Sequence, residues 1–344
     1  MATNRRVVIA RKGGPDALEL RDEPLDPPKA GEVQVRIRMS GVAFGDILKR
    51  EGFVPKQPRP PYTPGYDLLG VVEVPGDSGF RVGQRVAAFW GNGGHARRAN
   101  VPAKLLVPVP DAVNDEDACA LILNGITAYQ MLHRVARIKT GERALVHGAA
   151  GGVGTVLLEL ARLAGVSCFG TASKGKHDVV RGYGAVPIDY RSEDFVARIK
   201  GEGGVDAVFD PIGGDHLKKS HAVLKKGGRL VCFGISSTFW SSTQGPAEVA
   251  VGRYKQLLKT FPLIGFYKLL PDGRSASFYG IGESKVSRGG TIQEDLARIF
   301  AWRAEGKLGA PLIGARFPLE KARDAHALMG SGGTTGKILL MHGD

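Results

Sequence analysis

The chain begins with short runs in which apolar and polar positions alternate, the period of a half-buried strand. They fall at residues 5–10, 18–23, 32–39, 68–74, 85–89 and 96–101, and turn residues such as Pro27-Pro28 and Pro58-Arg59-Pro60-Pro61 separate them. From Asp115 the period changes. Apolar residues recur at helical spacing over 118–123 and again from Ile126, which predicts two helices. Strands then alternate with helical stretches, at 143–147, 167–171, 207–210 and 229–234. That alternation predicts an α/β fold with a parallel, doubly wound sheet. Near 265–290 the pattern turns irregular. A helix then runs from Ile292 toward Glu305, and 335–341 reads as a last strand. No repeat or low-complexity tract interrupts the order. A nucleotide domain is thus expected inside a β-rich domain whose final part returns at the C-terminus. The cleft between two such domains is where a nicotinamide and its substrate would meet.

One stretch carries more than a pattern. The strand Arg143–His147 runs into Gly148-Ala149-Ala150-Gly151-Gly152-Val153-Gly154, and an apolar helix follows over 155–164. Strand, tight glycine turn and helix is the geometry that sets backbone N–H groups and a helix N-terminus against a pyrophosphate. Ala149 stands where the first glycine of a GxGxxG pattern would be, and Gly151 and Gly154 take the other two places. The next strand decides which dinucleotide. An NAD-preferring site ends that strand on Asp or Glu, to bond the ribose 2′-hydroxyl. Here it runs out in Thr171, Ala172 and Ser173, followed by Lys174 and Lys176. A 2′-phosphate would meet ammonium groups and hydroxyls in place of a repelling carboxylate, so NADPH is expected over NADH. Lysines at a helix start oppose the macrodipole, which favours a functional reading of them over simple solvation.

Composition adds bounds. With 344 residues and 43% hydrophobic content the chain is globular and long enough for two domains. Cys119, Cys168 and Cys232 all lie in apolar patterns and read as buried small residues rather than a disulfide framework. No apolar run reaches transmembrane length, and no leader pattern is seen, so a cytoplasmic enzyme is expected. The net charge of +13 is spread along the chain without a run of like charges. Nucleic acid is therefore not the expected partner; solubility and attraction for a phosphorylated cofactor account for the charge.

Several motifs together resemble one superfamily. Ser40-Gly-Val-Ala-Phe-Gly-Asp46, Thr63-Pro-Gly-Tyr-Asp-Leu-Leu-Gly70, Val82-Gly-Gln-Arg-Val86 and Asn124-Gly-Ile-Thr-Ala-Tyr129 occur in that order. The glycine turn, Asp210-Pro-Ile-Gly-Gly214, Phe233-Gly234 and Gly336-Lys337 follow. Over nearly its whole length the chain resembles the medium-chain dehydrogenase/reductases, in the zinc-free quinone oxidoreductase (zeta-crystallin-like) branch. Within that branch it is most similar to the synaptic-vesicle membrane protein-like reductases. The resemblance implies a GroES-like β-rich catalytic domain at 1–122 and 270–344 and a Rossmann NADP-binding domain at 123–269. It also implies a homodimer.

Zinc-dependent members hold their catalytic ion with a Cys in the early turn and a His in a Gly-His-Glu motif. This chain has Ser40-Gly-Val-Ala43 and Gly65-Tyr66-Asp67 there, and it lacks the four clustered thiolates of a structural site, so no metal is expected. Without a Lewis acid, a substrate that carries its own electron sink fits best: a quinone or an α,β-unsaturated carbonyl. The protein then mainly positions the partners and excludes water.

Carried over residue by residue, the resemblance puts Asn124 and Thr127 near the nicotinamide and Ala150, Gly151, Gly152, Val153 and Gly154 at the pyrophosphate. Thr171, Ser173, Lys176 and Tyr190 fall around the adenosine 2′-phosphate, and Gly234 and Lys337 complete the cofactor cleft. Helix capping is the plainer role for Asn124 and Thr127, and packing for Tyr190. Tyr66 could offer its phenol to the substrate oxygen or serve as a core aromatic. His95 reads as structural or surface. Ala43 and Phe53 depart from an Asn and a Tyr found in many members, which bears on turnover of simple quinones. The leading function is NADPH-dependent reduction of a quinone or enone. The alternatives are reduction of an enoyl thioester, with 239–278 lining a wider pocket or packing an oligomer, or a binding protein that retains NADPH. In that last case 261–270 is the candidate for peripheral membrane contact, with RNA association the weaker variant.

Overall fold

In a computed structural model that describes residues 3–54, 57–236, 246–287 and 290–343, the chain divides into two compact units. One is Met1–Ile126 with Gly290–Asp344, and the other is Thr127–Gly289.

The first unit is β-rich. Strands β1 (Thr3–Ile9) and β2 (Leu18–Pro24) pair as an antiparallel ribbon. The long β3 (Glu32–Val42) is followed by helix α1 (Phe44–Glu51), then β4 (Asp67–Val74), β5 (Arg85–Phe89), β6 (Arg98–Pro102) and the short β7 (Val107–Pro108). β3 and β6 alternate buried and open positions as a half-buried strand should, whereas β4 is buried on both faces from Asp67 to Val72. Val33, Val35, Ile37, Leu68 and Val86 form the centre of this unit's core.

Helix α2 (Asp115–Tyr129) continues through a π-helical turn, Gln130–Val135. Two helices were expected here, and the chain makes one. Residues 117–132 are buried throughout, and that burial overrides the weak helix preference of Gly125. Asn124 and Thr127 therefore lie inside a helix, one turn apart on one face, and not at helix ends.

The second unit carries the alternation of strand and helix. It runs β8 (Arg143–His147), α3 (Gly152–Leu163), β9 (Ser167–Ala172), α4 (His177–Gly182), β10 (Val186–Asp189) and α5 (Phe195–Gly201). Then come β11 (Val205–Asp210), α6 (His216–Ala222), β12 (Leu224–Cys232), α7 (Pro246–Leu269) and β13 (Ser275–Phe278). Its sheet has the order β10-β9-β8-β11-β12-β13, and every neighbouring pair is parallel. This is the doubly wound Rossmann order, whose direction reverses between β8 and β11; ligands of such sheets bind outside the C-terminal strand ends at that point.

Two sequence expectations change in this unit. The stretch from Gly265 opens in regular structure, because α7 runs to Leu269 with Pro262 inside and β13 follows; beyond Phe278, through Ser287, it is turns and a short 3-10 segment. Thr260, Ile264 and Tyr267 form its buried stripe, while Leu258, Phe261, Phe266 and Leu269 face outward. The unit also extends past 270, since β13 pairs with β12. Of the segment 239–278, residues 239–245 lie outside the described residues.

The chain then returns to the first unit through α8 (Thr291–Ala304), β14 (Ile313–Pro318), α9 (Ala322–Gly330) and β15 (Lys337–Met341). There β15 pairs with β3, completing a sheet of order β14-β15-β3-β4-β5-β7 with β6 paired to β3.

Candidate cofactor and active site

Strand β8 ends at His147, and Gly148 turns the chain with φ +65°, a conformation that only glycine adopts without strain. The Gly151 N–H bonds Gly148 O at 2.9 Å, and Gly151 is the residue on which α3 starts. A side chain at Gly154 would put Cβ 2.4 Å from Gly148 O, so this glycine lets the helix pack directly on the turn. The alanine in the first glycine position has its own accommodation. A Cβ on Gly170, in β9, would stand 2.7 Å from the Ala149 Cβ, so the glycine missing from the turn is supplied by the neighbouring strand. The first N–H groups of α3, on Gly152 and Val153, have no partner within the helix ladder by geometry and carry the positive end of its dipole. The cradle fits a pyrophosphate: close backbone approach, a 12-residue helix behind it, and glycine where a side chain would intrude.

The ends of β9 and β10 lie beside this turn in the sheet order. Ser173 precedes a 3-10 turn, Lys174–Lys176, in which the Lys176 N–H bonds Ser173 O at 2.8 Å. Burial, with the charge of Arg191 acting on it, holds the half-buried Lys176 ammonium below the usual lysine range. Arg191 is a residue that sequence reasoning passed over. It follows Tyr190, a residue 54% exposed, whose ring centroid lies 5.7 Å from the guanidinium carbon. Its only signal in the sequence is its position just after β10. Lys176, Arg191 and the Tyr190 ring thus form a cationic, partly aromatic corner with Ser173 at its edge. Thr171 does not open onto that corner. It is buried, and its hydroxyl bonds His147 Nδ1 at 2.9 Å.

Behind the glycine turn lies a buried polar network. The Asp210 carboxylate, at the end of β11, accepts from the N–H groups of Ile212 and Gly213 on Oδ1. On Oδ2 it accepts from the Ser220 hydroxyl at 2.6 Å and from His216 Nδ1 at 2.9 Å. Because Ser220 gives its proton to Asp210, its oxygen must accept from His147 Nε2, 3.2 Å away, and His147 Nδ1 accepts from Thr171. His147 is then neutral, in accord with burial pulling its imidazole down to about 3. Burial pushes the Asp210 carboxyl up, yet the bond from His216, the neighbouring imidazoles and the Ser220 bond outweigh it and hold the group well below the usual carboxylate range. Gly234, after β12, faces the same loop: a Cβ there would come within 2.6 Å of Pro211 O.

In the first unit, Tyr66 sits on the turn before β4. Its ring stacks on Phe89 with centroids 6.0 Å apart, and the Lys49 ammonium lies 3.7 Å above its face. Lys49 also bonds the Asn92 side-chain oxygen at 2.9 Å and the carbonyl of Gly91. Asp46 fixes this arrangement from below. It is fully buried and accepts the Ala43 N–H on one oxygen and the Gly65 N–H on the other, tying the start of α1 to the tyrosine turn. A Cβ on Gly45 would fall 2.8 Å from the Tyr66 hydroxyl, so the phenol lies against the first turn of α1. Lys337 has a structural partner: its ammonium is buried against Asp67 at 3.1 Å, and Asp67 also accepts the Gly41 N–H. Within this unit the Lys337 ammonium is thus held in a buried ion pair. His95 is buried rather than at the surface, with its ring edge-on to His326.

Comparison with known proteins decides the family. Residues 29–111 match the alcohol dehydrogenase GroES-like domain, and residues 183–340 match a zinc-binding dehydrogenase family. The synaptic vesicle membrane protein VAT-1 homolog of Rattus norvegicus is 33% identical over 98% of this chain and 84% of its own. The chain belongs to the medium-chain dehydrogenase/reductase superfamily. The quinone oxidoreductase of Homo sapiens, another relative, is 30% identical over 99% of this chain and all of that one. Among solved structures, the Escherichia coli quinone oxidoreductase complexed with NADPH has a TM-score of 0.82 at 26% identity, covering 98% of this chain and all of its own. The human synaptic vesicle membrane protein VAT-1 homolog-like protein has a TM-score of 0.83 at 27% identity, covering all of this chain and 99% of its own. This medium-chain dehydrogenase/reductase is therefore an oxidoreductase with a GroES-like unit and a Rossmann unit, and its relatives agree with the zinc-free quinone oxidoreductase branch. Among its described residues, no helix is long and apolar enough to cross a membrane.

Proposed function

We propose that this protein is an NADPH-dependent reductase of quinones or α,β-unsaturated carbonyls that works without a catalytic zinc ion. The observation that carries the reading is the corner at the ends of β9 and β10. β9 ends on Ala172 with Ser173 next, with no carboxylate in the position that would repel a 2′-phosphate, and Lys176 and Arg191 stand together. The NADPH complex of the Escherichia coli relative supports the same cofactor. When bound, the reduced nicotinamide supplies a hydride.

The chain's own groups would divide the remaining work. Gly151, Gly152, Val153 and Gly154 hold the pyrophosphate on the α3 N-terminus, with Ala150 and Gly234 shaping the loops on either side. Ser173, Lys176, Tyr190 and Arg191 hold the 2′-phosphate. Asn124 and Thr127, on one face of α2, are the proposed contacts for the nicotinamide end. The Tyr66 phenol, with Lys49 over its ring, is the proposed donor to the substrate oxygen as negative charge builds on it. An activated alkene or quinone delocalises that charge itself, which is why hydroxyl and water donors suffice. The homodimer and the cytoplasmic location belong to the same proposal.

The test is fluorescence titration with NADPH and with NADH, followed by a panel of quinones and enones added to the tighter complex. Preference for NADPH with oxidation by a panel member supports the reading. Equal binding of the two cofactors, or tight NADPH binding without turnover on any member, counts against it.

A further inference from the structure

The atoms of the buried network behind the glycine turn are arranged as a metal site. His147 Nε2, Asp210 Oδ2, His216 Nδ1 and Ser220 Oγ point at one another. The Ser220 oxygen lies 2.6 Å from Asp210 Oδ2, 3.2 Å from His147 Nε2 and 3.4 Å from His216 Nδ1. His216 Nδ1 is 2.9 Å from Asp210 Oδ2, and ligand atoms of the two histidines and the aspartate all fall within 4.8 Å of one another. A tetrahedral zinc with bonds of about 2.0–2.2 Å separates its ligand atoms by roughly 3.3 Å. The set is within about 1.5 Å of those separations, and His216, with 22% of its side chain exposed, is the member best able to adjust.

The atoms that would not bind the ion are already held. His147 Nδ1 bonds the Thr171 hydroxyl at 2.9 Å, and Asp210 Oδ1 accepts two backbone N–H groups at 2.6 and 3.0 Å. Partners on the far side of each ligand are what orient a metal-binding imidazole and carboxylate. Charge points the same way. Asp210 is fully buried, and the groups facing it are an imidazole, a hydroxyl and two amides. An ion can enter without proton release: the His147 proton moves from Nε2 to Nδ1 and donates to Thr171, the His216 proton moves from Nδ1 to Nε2, and Ser220 binds through its neutral oxygen.

We infer that His147, Asp210, His216 and Ser220 form a binding site for one divalent transition ion of the Zn²⁺ class, in the nucleotide-binding unit and separate from the catalytic-zinc position of the zinc-dependent relatives. Two imidazoles and one carboxylate suit zinc or cobalt better than calcium or magnesium, which take all-oxygen shells. The ion ties the end of β8, next to Gly148, to the end of β11 and to α6. Its role is to fix the glycine turn, not to touch substrate.

The experiment uses full-length protein, freed of any affinity tag and stripped with chelator, titrated with Co²⁺ as the visible probe and with Zn²⁺ in competition. One Co²⁺ per chain with the intense visible bands of a tetrahedral site, displaced by Zn²⁺, is expected. His216→Ala is expected to lower that affinity at least about 100-fold and to remove the rise in Tm that Zn²⁺ gives the parent. His216→Gln serves for the same comparison if His216→Ala unfolds. Absence of a tetrahedral Co²⁺ spectrum in the parent, or a spectrum and a Zn²⁺-dependent Tm that persist in a folded His216 variant, overturns the inference.

Discussion

Lys176 and Arg191 carry the sharpest residue-scale consequence. In the proposed function each offers a cation to the 2′-phosphate, so Lys176→Ala and Arg191→Ala should each weaken NADPH binding about tenfold, the weight of one charge-assisted bond. NADH binding should change little. Fluorescence titration of each variant with both cofactors reads this directly, and parallel losses for the two cofactors would assign these residues to packing. The loss should shrink at high salt, because exposed charges are screened. Lys176 was legible in the sequence because it follows a strand that ends without a carboxylate. Arg191 was not, since only the parallel pairing of β10 with β9 brings its turn beside that strand end. Thr171 and Lys337 show what the sequence leaves hidden. Each has the right chemistry for a cofactor contact, but a histidine and an aspartate distant in sequence hold their polar atoms in buried pairs.

At the scale of elements, the exchange of glycine and alanine between the turn and β9 makes a testable pair. Gly170→Ala places a methyl 2.7 Å from Ala149 Cβ and 2.8 Å from Val180, so overpacking should cost about 1–3 kcal/mol. Adding Ala149→Gly should return part of that stability, the remainder being the Val180 contact; urea unfolding of the four members of the cycle measures it. If the double variant is no more stable than Gly170→Ala alone, the two positions do not share one space. Asp46 is the corresponding element-scale anchor in the first unit. Asp46→Ala leaves the Ala43 and Gly65 N–H groups without their acceptor, costing about 2–3 kcal/mol, and loosens the turn that carries Tyr66. Many strands of both units were readable from period alone, since β5 and β8 coincide with their sequence runs and several others differ by a residue or two, but β7, β10, β13 and β14, short or lying at or near sheet edges, had no run of their own. Helix α7 was not, because Pro262 and Gly265 masked a stripe, Thr260, Ile264 and Tyr267, that only packing reveals.

For the whole molecule, buried histidines set the acid limit of stability. His342 bonds Ser40 at 2.8 Å and the Ala96 carbonyl at 2.8 Å, and burial, with the charges of His95 and Arg97, pulls it from 6.5 to about 3 despite the Ala96 bond. A histidine lowered in the folded state takes up no proton between these values, whereas the unfolded chain does. Stability is therefore full above pH 6.5 and falls as pH drops toward 3, by about 2 kcal/mol per such group at pH 5. Urea midpoints between pH 7.5 and 5 should show that fall, with a shallower slope in His342→Gln; equal slopes would contradict it. The fold class and the cofactor type were legible because a strand, a glycine turn and a helix are contiguous in the chain. The acid groups, the cation corner and the polar network are assembled from distant segments. The central claim, a reductase that selects NADPH through the ends of β9 and β10, is tested most directly by paired titrations of the parent protein with NADPH and NADH at low salt. NADPH should bind at least about tenfold more tightly than NADH; equal affinities, or a preference for NADH, would contradict the claim.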